Sequence, residues 1–378
     1  MEISLAVALA LILAAVLSYE LKISSAVLEI FAGMALAVVI VDIDSTMWLH
    51  FLANLGMLAL MFVAGFELQL RELKKNWVSS VSIGLSSFFI PLAGIFFIVY
   101  YWLGLDFKAS ALIGVGLSTT SLALVYHLLK EQSLLGTRDG QIMFGAASVV
   151  DILSMVFLAI LLGEVGMGTA IFGIILLFSV VALPRFGLWV FERYPDSIAE
   201  PELRFLMVVI VGMGSMAENI GNIHPALVAF TIGIFMSRIV EDNKVVKDKL
   251  MGMVLGFFAP IFFLYSGTRI DLSSLSLDYM AVAIVLFLAA TLLKYAGTYI
   301  PARKFIKDRA WFSGILFNYR LSFGIITAGV GLESGIISED MFAVIMLVVV
   351  TSAAIPGLFL RSRGGDLKHI DLPEIADK

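Results

Sequence analysis

The chain has 378 residues and a net charge of −5; 60% of its residues are hydrophobic and only 15% are charged. Soluble domains carry about 25% charged residues, so the composition excludes a soluble globular protein and predicts an all-α polytopic membrane protein. Cysteine is absent, which excludes disulfides, thiol chemistry and cysteine-based metal sites. No glycine-rich phosphate loop joins a strand to a helix, and we predict no enzymatic activity, no cofactor and no nucleic-acid partner.

A helix that crosses the hydrocarbon core of a bilayer needs about 20 predominantly apolar residues. Runs of this length, separated by charged residues or by glycine and proline clusters, predict about 13 spans. Their approximate limits are 3–20, 24–42, 47–69, 77–103, 109–129, 139–163, 169–192, 202–220, 223–239, 250–270, 278–300, 309–332 and 338–360. No basic segment precedes the first run, so we expect a retained helix and not a cleaved signal peptide.

The distribution of Lys and Arg predicts how these spans are oriented. Of the 25 basic residues, 20 lie in the C-terminal tail or in loops that follow odd-numbered spans, whereas only Lys108 and Arg269 lie in loops on the other side. Short cytoplasmic loops are enriched in Lys and Arg. We therefore predict a multi-pass protein of the cell membrane whose N-terminus is outside the cell and whose C-terminus is in the cytoplasm.

Spans 2 and 3 are similar to spans 9 and 10, which indicates an internal repeat. Span 3 ends with an apolar run, Gly65 and Glu67, and span 10 ends with an apolar run, Gly267 and Arg269. The offset of seven spans is odd, so the two halves have opposite orientations in the membrane, as in the inverted repeats of secondary transporters. Span 7 then links spans 1–6 to spans 8–13.

Spans 5 and 12 correspond in this repeat, and both carry polar residues at mid-membrane, within residues 114–122 and 316–324. Glycine and small polar residues favour a break in a membrane helix, where free backbone groups face a cavity. Thr119, Thr120 and Ser121 could then offer hydroxyl or carbonyl oxygens to a dehydrated cation. The alternative is that these hydroxyls bond to their own helix and nothing unwinds.

Asp151 lies in the middle of the apolar run Met143–Leu162. An ionisable group at this depth costs about 2.5–3.5 kcal/mol on an insertion scale, which favours a functional role. A carboxylate that binds either a proton or a metal cation (Na⁺ or K⁺) would couple the two by competition. Ser148 lies three residues earlier on the same helical face and could add a hydroxyl ligand. The alternative is a structural aspartate tied to a lysine or to a helix end.

Three further charged residues are associated with the spans. Lys294, in span 11, could pair with Asp151 when no cation is bound; alternatively, it only stabilises the core. Arg320, in span 12, is predicted to stabilise the structure; the alternative is that it lines the ion pathway. Glu67, near the cytoplasmic end of span 3, could serve as its partner or line a cytoplasmic funnel that attracts cations.

The sequence resembles the monovalent cation/proton antiporter superfamily, in the branch of Kef-type potassium efflux systems and NapA-type sodium/proton antiporters. The resemblance extends over nearly the whole chain and is most specific in residues 62–70, in residues 118–151 and at Lys294. It implies a NapA/NhaA-like antiporter fold in which two discontinuous helices, spans 5 and 12, cross near the acid. Family members have a polar residue before this acid, where the present chain has Val150.

The resemblance also implies a domain organisation and a homodimer. Residues 1–70 and 202–272 would form the two halves of a dimerisation domain, and residues 77–163 and 278–360 those of a mobile core. Residues 169–194 would form a linker helix, and residues 361–378 a short cytoplasmic tail.

Together these features predict a secondary active transporter that exchanges Na⁺ or Li⁺, or K⁺, for protons by alternating access. If Lys294 stays charged, a single intramembrane acid predicts one proton per cation, which we favour; if Lys294 deprotonates when the cation binds, two protons could move. The first alternative is transport of another solute, such as an organic anion, on the same scaffold. The second is a non-transporting sensor or subunit, which the apolar Val150 favours.

Overall fold

A computed structural model describes residues 2–21, 24–40, 43, 46–66, 76–163, 166–194, 199–221, 223–270 and 276–362. Glu67 and most of the predicted tail lie outside these residues. The described part contains 16 α-helices and no strand. They are α1 (Glu2–Leu21), α2 (Ser25–Val39), α3 (Met47–Phe66), α4 (Trp77–Tyr101), α5 (Phe107–Ser118), α6 (Leu122–Glu131), α7 (Arg138–Leu162), α8 (Met167–Arg193), α9 (Pro201–Met216), α10 (Pro225–Asp242), α11 (Lys244–Met253), α12 (Ala259–Thr268), α13 (Leu277–Phe305), α14 (Ala310–Leu316), α15 (Ser322–Glu333) and α16 (Glu339–Ser362).

Many of these helices have the length and composition of membrane spans. In the described ranges, eight helical segments are long and apolar enough to cross a membrane, counting α11 and α12 as one segment joined by a π-helical turn, and four further apolar helices are shorter. The outer surface is apolar as well: α8 exposes Ile174, Leu177 and Phe178. Helices that face lipid carry such apolar surfaces because lipid tails are as apolar as these side chains, so their exposure has no hydrophobic cost. The protein is therefore a multi-pass membrane protein.

Polar side chains cap the N-terminal ends of three helices that surround the candidate functional site. The side chain of Asp106 accepts a hydrogen bond from the N–H of Ala109 at the start of α5. Thr137 does the same for Gly140 at the start of α7, and Ser276 for Tyr279 at the start of α13. Each bond satisfies one backbone donor that has no partner within its own helix.

The helices contact one another in two groups. The scaffold group comprises α1–α3 and α9–α12, with α8 packed on α9 and α10; the crossing group comprises α4–α7 and α13–α16. Within the scaffold group, α3 packs along α10 and α2 along α12. Helix α2 of the scaffold group contacts helix α16 of the crossing group.

Candidate functional site

Two interrupted helices meet in the middle of the crossing group. Helix α5 ends at Ser118 and α6 begins at Leu122, while α14 ends at Leu316 and α15 begins at Ser322. The N–H of Ser121 donates to the carbonyl of Tyr319 at 2.7 Å. The hydroxyl of Thr120 donates to the carbonyl of Phe317 at 3.2 Å. The interruptions therefore occur in both predicted spans, and they are hydrogen-bonded to each other.

Two buried basic side chains lie at the C-terminal end of α5. Nε of Arg320 donates to the carbonyl of Leu117 at 2.6 Å. Nζ of Lys294 donates to the carbonyl of Ser118. Both side chains have 0% exposure. The carbonyls at a helix C-terminus have no partner within the helix and carry a partial negative charge, so these two basic groups stabilise the end of α5 by donating hydrogen bonds to it.

Arg320 connects the interruption to the surrounding helices. Besides the carbonyl of Leu117, its guanidinium donates to the carbonyl of Ala290 at 2.7 Å, to Oδ1 of Asn318 at 3.0 Å and to Oγ of Ser352 at 3.1 Å. These acceptors belong to α13, to the interruption itself and to α16, and all of them are neutral. Among the described residues, no carboxylate forms an ion pair with Arg320.

Asp151 lies on α7, which packs against α4, α5, α6 and α15. Its side chain is 1% exposed. Lys294 interacts electrostatically with Asp151 as well as with Arg320. The fold thus places one buried carboxyl group and one buried amino group near the end of α5, and the amino group of Lys294 donates its hydrogen bond to the Ser118 carbonyl.

The predicted hydroxyl ligands are buried around this point. Oγ1 of Thr119 donates to the carbonyl of Gly116 at 2.9 Å, and Oγ of Ser148 to the carbonyl of Phe144 at 3.1 Å. The hydroxyl of Ser121, which is 2% exposed, has no hydrogen-bond partner in the described ranges. A hydroxyl that donates one hydrogen bond still has lone pairs for a cation. The bonds of Thr119 and Ser148 stay within their own segments, as the structural alternative predicts, whereas Thr120 bonds across the two interruptions.

Several groups that build the site have no signal in the sequence. The carbonyls of Leu117, Ser118 and Ala290 are backbone atoms, and their role depends on long-range packing. Asn318 is different, because it is a polar residue two positions before Arg320 in an apolar span. Its side chain also donates to the carbonyl of Gly314 at 2.9 Å. This spacing in the sequence could have identified Asn318 as a residue that orients Arg320.

Comparison with known proteins assigns the fold and the family. Residues 6–362 match the protein-family model described as "Sodium/hydrogen exchanger, transmembrane". The chain is 29% identical over 338 residues to "Probable Na(+)/H(+) antiporter 3" of Methanocaldococcus jannaschii, covering 85% of each protein. It is 27% identical over 327 residues to "Na(+)/H(+)-K(+) antiporter GerN" of Bacillus cereus, covering 83% of this chain and 82% of GerN.

A solved structure has the same fold. The sodium proton antiporter MjNhaP1 from Methanocaldococcus jannaschii at pH 8 superposes with a TM-score of 0.68 at 15% identity, over 97% of this chain and 98% of that one. The family match covers far more than half of the sequence, and the buried acid and paired interruptions lie inside the matched region. The chain therefore belongs to the transmembrane sodium/hydrogen exchanger family.

Proposed function

We propose that this protein exchanges a monovalent cation, with Na⁺, Li⁺ and K⁺ as the candidates, for protons across the cell membrane by alternating access. The observation that carries the proposal is Asp151, a 1% exposed carboxyl group in the crossing group that interacts electrostatically with Lys294. Such a buried group is costly in a bilayer unless it binds a proton, a cation or a counter-charge. Family membership favours cation exchange over the transport of another solute and over a sensor role.

Competition for one carboxylate explains the coupling. A proton and a metal cation cannot both neutralise Asp151, so binding of one displaces the other. The neutralised side chain is cheaper to carry past an apolar barrier than the bare anion. Exchange is therefore favoured over movement of the empty, charged site.

Oxygen atoms near the interruptions are the proposed ligands of the dehydrated cation. They come from Asp151, the three consecutive residues Thr119, Thr120 and Ser121, and Ser148. Na⁺ and K⁺ are hard cations and prefer such oxygen donors. The GerN relative is named as a Na⁺/H⁺-K⁺ antiporter, so K⁺ belongs among the cations to be tested.

The proposed topology has thirteen crossings in an inverted repeat. The eight long apolar segments supply most of them; α2, α10, α16 and the two interrupted pairs supply the others. Reciprocal glycine contacts support the repeat. Between spans 2 and 10, Gly33 packs on the backbone of Leu264 and Gly267 on that of Ile30. Between spans 9 and 3, Gly233 packs on the backbone of Phe62 and Gly65 on that of Phe230. Exchanging spans 2 and 3 with spans 9 and 10 converts the first pair of contacts into the second.

The same proposal assigns the scaffold group to dimerisation and the crossing group to the mobile core. Its support is the distribution of helix contacts, which are extensive within each group. Together with the enrichment of Lys and Arg in the loops on one side of the membrane, the proposal puts the N-terminus outside the cell. A homodimer would then hold the scaffold fixed while each core moves against it.

Cation-driven proton flux in proteoliposomes tests the exchange function. With an imposed pH gradient, we expect Na⁺, Li⁺ or K⁺ to release protons in the wild-type protein and to have no effect in Asp151→Asn, which keeps the side-chain size but cannot ionise. Asp106→Asn is the matched control, because this exposed residue caps α5 and asparagine caps helices equally well. Equal flux in the wild type and in Asp151→Asn would contradict the proposal.

A further inference from the structure

A cluster of ionisable side chains lies away from Asp151, at the end of α15. Oε1 of Glu333 is 3.7 Å from Nη1 of Arg269, and Oε2 of Glu333 is 3.8 Å from Nε2 of His224. The Glu333 side chain is 38% exposed, whereas His224 is 15% exposed and Arg269 25% exposed. Each oxygen of one carboxylate thus faces a different base.

These contacts join the two helix groups. Glu333 is the last residue of α15, in the crossing group. His224 caps α10 and Arg269 directly follows α12, both in the scaffold group. Arg269 also lies over the ring of Phe342 on α16, at 5.9 Å from the ring centroid, within the range of a cation–π contact. The scaffold group therefore contacts the crossing group at this face through polar and charged side chains.

The protonation of His224 changes the charge of the cluster. Its Nδ1 accepts a hydrogen bond from the N–H of Ala226, so the neutral ring carries its proton on Nε2, which faces Glu333. At 3.8 Å this neutral N–H is too far away for a good hydrogen bond. A second proton, on Nδ1, adds a full positive charge beside the carboxylate and removes the hydrogen bond from the Ala226 N–H; because both residues lie in the scaffold group, that loss is the same whether or not Glu333 is close. Attraction to Glu333 therefore depends on pH through His224, whereas Arg269 stays charged throughout.

Water reaches the cluster through a crevice of about 480 Å³ between the groups. His224 and Glu333 line it, and its other charged residues are Lys108 at the start of α5 and Glu218 at the end of α9. His50, on α3, also acts electrostatically on Glu333. Protons on this face of the membrane can thus reach His224 without crossing the protein.

We propose that Glu333, His224 and Arg269 form a latch that holds the crossing group against the scaffold group on this face, and that protonation of His224 tightens it. The proposal rests on the movement between groups that the proposed exchange mechanism requires. Opening of this face separates Glu333 from both bases, so acidic conditions there favour the closed conformer. The extra stabilisation is lost as the pH on that face rises and His224 becomes neutral.

Spin-label distances across the crevice test the latch. The chain has no native cysteine, so Lys108→Cys and Glu218→Cys place one label on each wall of the crevice in the full-length protein in lipid nanodiscs. Between about pH 8 and pH 5, where histidine changes charge, we expect the short-distance population to increase. The ratio of closed to open conformers should change roughly two- to fivefold, the range that an ion pair near the surface supports.

Substitutions in this labelled background separate the latch from a general effect of pH. Glu333→Gln should abolish the pH-dependent shift, and His224→Gln should abolish most of it, because His50 also acts electrostatically on Glu333. Glu339→Gln, an exposed acid six residues after Glu333, should retain it. A shift that persists in His224→Gln and Glu333→Gln, or no shift in the labelled parent, would overturn the latch.

Cation-driven proton flux in the same labelled proteins distinguishes the two proposals. Normal flux together with an unchanged pH response in His224→Gln would refute the latch and leave the exchange function intact. Loss of the distance shift in both latch variants, in a protein without any cation-driven flux, would support the latch as a conformational contact and refute the exchange function.

Discussion

At the scale of single residues, the site combines one acid with two bases that have different tasks. Arg320 donates four hydrogen bonds to neutral acceptors, one of them the Leu117 carbonyl. Lys294 donates to the adjacent Ser118 carbonyl and interacts electrostatically with Asp151. The guanidinium of Arg320 thus holds the crossing together, whereas the amino group of Lys294 bonds to the helix end and interacts electrostatically with the carboxyl group of Asp151.

Arg320→Lys tests this structural task. Lysine keeps the charge but cannot reproduce the planar, forked arrangement of guanidinium donors. Hydrogen bonds to charged groups contribute about 1.5–3 kcal/mol each, and we expect a loss of at least about 2 kcal/mol of stability. The measurement is the melting temperature in detergent. Arg185→Lys is the control, because the exposed Arg185 donates one bond to the carbonyl of Val181; an equal melting temperature in both variants would contradict the assignment.

The sequence identifies the charged members of the site but not their acceptors. Asp151, Lys294 and Arg320 are predictable because an ionisable residue inside an apolar run is expensive. The carbonyls of Leu117 and Ser118 are not, because every residue has a carbonyl and only tertiary packing selects these two. The proposed partner of Arg320, Glu67, lies outside the described residues, and its role stays a prediction.

At the scale of helices, the interruptions were predictable and the glycine contacts only partly so. Small polar residues in spans 5 and 12 indicate breaks, and α5 and α14 end there. Gly65 and Gly267 stood out as members of a repeat. Their packing partners could not be read from sequence, because glycines without any close neighbour, such as Gly212, look the same.

Gly233→Ala and Gly212→Ala form a matched pair on neighbouring helices. A Cβ at Gly233 would overlap the carbonyl oxygen of Phe62, whereas a Cβ at Gly212 would meet nothing within 4 Å. Overpacking costs about 1–3 kcal/mol, so we expect Gly233→Ala to lower the melting temperature. Alanine at Gly212 should be neutral or stabilising, since it is the better helix former. Equal effects would show that α3 and α10 do not require this close approach.

At the scale of the whole molecule, the charge carried per cycle follows from the number of titrating groups. The crossing places one acid beside Lys294, and the residue before that acid is the apolar Val150. If the Lys294 ammonium keeps its bond to the Ser118 carbonyl throughout, one proton leaves for each cation that binds. The exchange is then electroneutral.

Flux under a clamped membrane potential measures this stoichiometry. In proteoliposomes whose membrane potential is clamped by a permeant anion, because K⁺ is itself a proposed substrate, we expect the rate of Na⁺-driven proton movement to be the same at any imposed potential. A rate that increases when the vesicle interior is made negative or positive would mean that a second proton moves, and Lys294 would then be its source. Asp151→Asn, which lacks the proposed carrier group, provides the background signal.

The two cations at the end of α5 also constrain how the protein is assembled in the membrane. Lys294 lies 176 residues after its acceptor Ser118, and Arg320 lies 203 residues after Leu117. During synthesis, α5 and α6 therefore enter the bilayer long before the side chains that stabilise their interruption exist. Each cation in turn costs about 2.5–3.5 kcal/mol at mid-bilayer until it meets those carbonyls. The half-helices are thus expected to complete their insertion late, when α13 to α15 emerge, so that the proposed transport site is among the last parts of the protein to form.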